Sequence, residues 1–209
     1  MGLLILAPIV RSERRRGPLS WARRGRRWRD LALLPALLIP GAAHAQGSPG
    51  SIEYQVKAAY LLNFTRYVEW PASAFSAPAA PLEICVLGQD PFGDELKRAT
   101  ANRSSQGHPI LVRRARDRSE LEGCHLVFVG EQESRRLAES PRKLTSFGVL
   151  TVGDTEHFAR DGGVIGFLIS NETVRFVVNL DARDRAGLRI SSRVLTLASD
   201  LFSVSGDRF

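Results

Sequence analysis

The sequence predicts an α/β fold of three layers: a mostly parallel central sheet, helices on both faces, and an antiparallel hairpin at the C-terminal edge. Three observations predict it. Short apolar runs, Leu82–Leu87, Ile110–Arg113, His125–Val129 and Val149–Val152, recur through the middle of the chain. Segments of helical or turn character separate them, and strands joined by such crossovers run parallel with both faces covered. Further on, Val164–Ile169 and Val174–Leu180 are split only by Ser170-Asn171-Glu172-Thr173, which has the composition of a hairpin turn.

The first 45 residues read as an address. Arg23-Arg24-Gly25-Arg26-Arg27-Trp28-Arg29 is a basic lead, Leu31–Ile39 a short apolar core, and Ala43-His44-Ala45 an A-x-A cleavage site. Together they form a secretory signal peptide, cleaved before Gln46. The apolar core is about half the ~20 residues that a membrane span needs. Paired arginines admit a twin-arginine route, but no cofactor motif downstream requires folded export. Residues 1–45 hold nine arginines and two acids, a net of +7, which equals the net charge of the whole chain (29 basic, 22 acidic). The remainder, with 20 of each, is formally neutral. Nucleic-acid binding, which needs a basic footprint, therefore loses its support.

Residues 46–50 are expected to be a flexible lead-in and 51–209 a single domain with a real core. Ser51–Trp70 is a predicted helix capped by Ser51 and stopped by Pro71. Val56, Ala59, Tyr60, Asn63, Phe64, Tyr67 and Val68 cluster on its apolar side. Asn63 on that stripe reads as a buried amide bonded to backbone, with a ligand contact as the alternative. Ala72–Pro81 is a loop. Asp90 and Pro91 predict a capped helix from Pro91 to about Ala101. Ser119–Glu122 is at most one helical turn, Ser134–Ser140 a helix, and a loop follows Val152 to Asp161. Gly162-Gly163 marks a position that excludes side chains before the hairpin. After Gly187 the period changes: Ile190, Val194, Leu197 and Leu201 predict a closing amphipathic helix capped by Ser191 or Ser192.

Cys85 and Cys124 are the two cysteines. In an exported chain they fit one disulfide, the alternative being two buried thiols. A bridge would close a loop of about 40 residues and add roughly 4 kcal/mol by the chain-entropy model. No catalytic, metal or cofactor constellation is legible. His108, His125 and His157 fall in no ligand spacing, and there is no G-x-S-x-G elbow or P-loop. An enzyme is thus not expected. Gly88–Gly93 suggests at most a weak anion site at a helix start. Arg113–Arg118 is a basic run that reads as a solvated face or a dock for an acidic partner. Asp154–His157 reads as a solvated loop at the carboxyl edge of a strand, where open α/β sheets bind ligands.

Two separated motifs carry a resemblance. Lys57–Pro71 (KAAYLLNFTRYVEWP), and the series GGVIGF, VRFVVNL and AGLRISSRVLTLA in Gly162–Ala198, resemble the signatures of the YfiR family. The resemblance spans roughly Ile52 to Phe202. It implies a periplasmic repressor that binds the periplasmic sensor domain of an inner-membrane diguanylate cyclase and lowers cyclic-di-GMP signalling. It also implies an outer-membrane or peptidoglycan-linked protein that sequesters the repressor, redox-relevant cysteines, and a dimer. A homodimer is also the commonest oligomer. The competing expectation is a periplasmic small-ligand-binding module, its cleft formed by Gly88–Phe92, Gly130–Ser134 and Gly153–His157. For a protein partner, the hairpin and the chain after it offer a polar rim of Glu172, Arg175, Arg189 and Arg193 beside unpaired edge backbone.

Overall fold

In the computed structural model, strands β2 (Leu82–Leu87), β4 (His108–Ala115), β5 (Leu126–Val129), β6 (Leu150–Gly153) and β7 (Ile165–Ser170) lie parallel in one sheet. The structure describes residues 49–138 and 147–203; the signal-peptide region, residues 46–48 and the end of the helix expected to reach Ser140 lie outside them. β1 (Val68–Glu69) pairs antiparallel with β9 (Arg189–Ile190) in a separate two-stranded sheet, and β3 (Ser104–Ser105) pairs antiparallel with β4. The hairpin closes with β8 (Thr173–Asn179), and β10 (Asp200–Phe202) adds to it, giving the order β10-β8-β7-β6-β5-β2-β4-β3.

Both faces of the sheet are covered, as the apolar strand runs require. One face packs Leu82, Ile84, Leu126, Phe128, Phe167 and Phe176 under α1 (Pro49–Tyr67) and α2 (Glu95–Thr100). The other packs Cys85, Val127 and Val129 under α3 (Glu131–Ala138) and α4 (Glu156–Arg160), through Leu137 and Phe158. The disulfide Cys85–Cys124 lies in this second layer, with Cα atoms 5.9 Å apart. The hairpin turns through Asn171 and Glu172, both at positive φ (49° and 58°), the backbone of a two-residue type I′ turn. Gly163 admits no side chain: a Cβ there would stand 2.1 Å from the Phe158 ring.

Several element boundaries move. The first helix starts at Pro49 and stops at Tyr67, so Ser51 is not its cap and Pro49-Gly50 belong to the helix and not the lead-in. Val68-Glu69 leaves the helix because β9 offers it a ladder. Asp90 does not cap a helix. Its carboxylate accepts from the Phe92 N–H at 2.8 Å, closing a tight local turn, and α2 begins only at Glu95. The start of α2 therefore lies beyond the Gly88–Gly93 turn. The loop expected after Val152 contains α4, and α5 (Leu180–Arg185) follows β8, capped by Asn179, whose side chain accepts from Ala182 N–H at 2.9 Å. The closing helix is the short α6 (Ser192–Leu197), with Ser191 as its cap. The hairpin lies at one end of the sheet, as expected, and the tail after α6 returns to add the short β10 outside it, pairing Leu201 with Val178.

Candidate functional site

The face of α1 that packs on the sheet is not the stripe that spacing suggests. Lys57, Ala58, Leu61, Phe64, Thr65 and Val68 are buried, while Ala59 and Asn63 are exposed and Val56 is 39% exposed. Asn63 is therefore not a buried amide. The helix is rotated because its buried polar residues are satisfied internally. Thr65 Oγ1 donates to the Leu62 carbonyl at 2.7 Å, and the Lys57 ammonium bonds both Glu53 and Asp154. Period reading assigns polar residues outward, and here two of them point in.

Lys57 anchors a charged cluster at the carboxyl edge of the sheet. Its side chain and that of Asp154 are 4% and 5% exposed. Tyr54 Oη donates to Asp154 at 2.7 Å, and the Lys57 ammonium sits 4.7 Å above the Tyr54 ring. Burial pushes the Tyr54 hydroxyl well above its ordinary range, helped by the bond to Asp154 and by the charges of Asp154, Glu53 and Glu131. Burial also holds the Asp154 carboxyl above the usual carboxylate range, outweighing the opposing pull of Lys57. Glu53, Tyr54 and Lys57 escape sequence reasoning. The only signal was the Glu53–Lys57 spacing of four on a face that includes Ala58 and Leu61.

Beside this cluster an open cleft of about 210 Å³ lies between the ends of β2, β5 and β6. Tyr54, Gln89, Pro91, Gly130, Glu131 and Asp154 line it, with Gln132 and Glu133. The strand order reverses between β2 and β5, since β4 lies on one side of β2 and β5 on the other. Open α/β sheets bind ligands at such a switch point. Three loops expected to meet there do meet, and Asp154 is a buried floor of the cleft where a solvated loop was expected. His157 is exposed on α4 and takes no part.

At the opposite, amino edge, Phe75 stacks between His108 (3.8 Å) and His125 (4.3 Å). His125 Nδ1 accepts from Glu83 N–H at 3.1 Å, its carbonyl accepts from Trp70 Nε1, and among the described residues its buried Nε2 meets no partner at hydrogen-bond distance. Burial holds its imidazole below the ordinary histidine range. In the basic run, which leaves the carboxyl end of β4, two arginines are engaged within the fold. Arg113 bonds Glu83 at 3.0 Å and the carbonyls of Glu120 and Glu122, and Arg114 bonds Asp90 at 2.6 Å.

The four residues expected to form a partner rim do not form one patch. Glu172 is at the hairpin tip and Arg175 points from β8 to the face opposite Phe176, as strand alternation requires. Arg189 and Arg193 lie at the far end of α1, where Arg189 pairs with Glu69 at 3.7 Å. Arg193 instead lines a groove with Tyr60, Asn63, Tyr67, Phe176 and Leu197. Backbone left unpaired on β8 is confined to its start, because Val177–Asn179 pair with β10.

The described residues thus define an α/β protein: a doubly covered, mostly parallel sheet, a disulfide inside one layer, and open grooves at its surface. The chain belongs to the YfiR/HmsC-like family, whose family model matches residues 54–199. At the level of that family these are periplasmic regulators of diguanylate cyclase signalling and not enzymes. Among the described residues no helix is long and apolar enough to cross a membrane.

Proposed function

We propose that this chain, exported by its cleaved N-terminal signal, binds the periplasmic sensor domain of an inner-membrane diguanylate cyclase and holds the cyclase in its inactive state, lowering cyclic-di-GMP. The observation that carries this reading is the family match, which spans the sheet from α1 to the end of α6. Repression requires differential affinity. The protein must bind the inactive cyclase conformation more tightly, by about 5.5 kcal/mol for a switch from 1:99 to 99:1. A second protein, linked to the outer membrane or to peptidoglycan, would relieve repression by competing for the bound repressor.

The test is a deletion strain. Loss of the chain should raise cyclic-di-GMP, and restoring it should lower the level only while the partner cyclase is intact. Unchanged cyclic-di-GMP on deletion would remove the repressor role. The carboxyl-edge cleft favours a second reading, a small-ligand module. The polar groups on its floor, however, already bond to one another, and a ligand would have to compete with the Lys57–Asp154 pair. Equilibrium dialysis of the purified chain against periplasmic small-molecule extract, read by mass spectrometry, separates the two readings.

A further inference from the structure

We propose that the groove between α1 and α6 is the docking site for an amphipathic segment of the partner that carries an apolar anchor flanked by carboxylates. This rests on the protein-binding reading above and names its surface.

A line of side chains along the outer side of α1 is largely apolar and is not covered by the described residues. Ile52 is 57% and Val56 39% exposed, Ala59 and Asn63 follow along the same line, and Tyr60 and Tyr67 are half-buried beside them. Residues spaced by three and four share one helix face, so this is a continuous ridge. It leads to a groove floored by Phe64 and Phe176 and walled by Leu197, itself 68% exposed. Exposed apolar surface of this kind, rimmed by polar groups, marks an interaction site. Tyr, Phe and Arg are the residues enriched where interfaces concentrate their energy.

Size and charge select the occupant. The groove measures about 160 Å³, below the ~300–1,000 Å³ of pockets that enclose a small molecule, so it fits side chains of a larger partner. Helix-in-groove recognition uses such anchors at helical spacing. Around the C-terminal end of α1 stand Arg66, Arg189 and Arg193, all exposed, against Glu69, whose carboxylate is engaged by Arg189. Arg193 makes no ion pair among the described residues. A second copy docked about a two-fold axis would set this basic rim against itself, so the complement is an acidic, different chain. A homodimer of this protein would use another face.

The test is site-specific photo-crosslinking in cells of the source, using the full chain with Leu197 or Asn63 replaced by p-benzoylphenylalanine. Control positions are Leu111 and Glu172, exposed elsewhere on the molecule. The expected result is a cross-link from both groove positions to a periplasmic segment of a membrane cyclase, the linked peptide holding an apolar residue near Asp or Glu. Adding Arg193→Glu should lower that yield about tenfold or more, while Glu172→Arg should leave it unchanged. Cross-links to the cyclase from a control position alone would overturn the groove and leave the repressor reading standing. Groove cross-links only to a second copy, or within the chain, would overturn the proposed occupant. If no position reaches a cyclase while the protein is folded and exported, the repressor reading fails, and the groove proposal with it.

Discussion

The two sides of α1 both mix polar and apolar residues, but on different terms. The side that packs on the sheet buries Lys57 and Thr65 among Ala58, Leu61 and Phe64, while the side that meets solvent carries Ile52, Val56 and Ala59. Burial of the lysine is tolerable because its ammonium meets Glu53 and Asp154, and a buried charge is strongly unfavourable only when unpaired. Apolar groups left in water have no such internal compensation. The inside of α1 thus answers to the fold, and the outside to whatever covers it.

The largest effect should come from breaking the inner charge. Lys57→Met leaves Asp154 buried without its cation and should cost about 3–5 kcal/mol, whereas Lys57→Met with Asp154→Leu should recover most of it. Urea unfolding of the single and double variants checks this. A double variant as unstable as the single would mean that the ion pair itself, and not its broken half, sustains the fold.

Next comes the apolar contrast on the same helix. Leu61→Ala, at a fully buried position, should cost about 2–5 kcal/mol, and Val56→Ala, on the outer stripe, within about 0.5 kcal/mol. Equal losses measured by thermal unfolding would mean that the outer stripe also packs within the chain.

His125 sharpens the comparison, because among the described residues its buried Nε2 meets no partner at hydrogen-bond distance, unlike the Lys57 ammonium. Its folded pKa is depressed by burial from the ordinary 6.5. As pH falls through that value the unfolded chain gains a proton that the folded chain resists, so stability declines on acidification. Above it both states are neutral and the contribution is constant. The urea midpoint should fall between pH 7.5 and pH 5, and His125→Asn, which keeps an acceptor for Glu83 N–H, should flatten that fall.

A small stability effect is also expected at the hairpin. Arg175→Glu should shift the melting temperature by no more than about 2 °C, below ~1 kcal/mol. Partner affinity should also hold if docking lies at α6, since Arg175 points to the other face of the sheet. A loss of affinity with the melting temperature unchanged would return the docking surface to the hairpin.

Some of this was readable in the residues. Leu82–Leu87 is a strand at the very bounds its apolar run suggests, and the Asn171-Glu172 turn follows from a four-residue polar break between β-rich runs. Gly163 is where the Phe158 ring leaves no room. The three cleft loops were legible too, since strand ends at a sheet's carboxyl edge must converge. Other elements were not. β1, β9 and β10 are two or three residues long, too short for any period, and each exists because a distant strand offers it a ladder. Glu156–Arg160 and Leu180–Arg185 are likewise too short to show a stripe.

By itself the sequence determined the layer architecture, the family and the chemistry available, because hydrophobic period and turn composition act locally and add up along the chain. Tertiary structure alone decided which side of α1 is inside. That choice turned on Asp154, 97 residues away from Lys57. A buried lysine is stable only where a remote carboxylate comes to meet it, and no local pattern records that meeting.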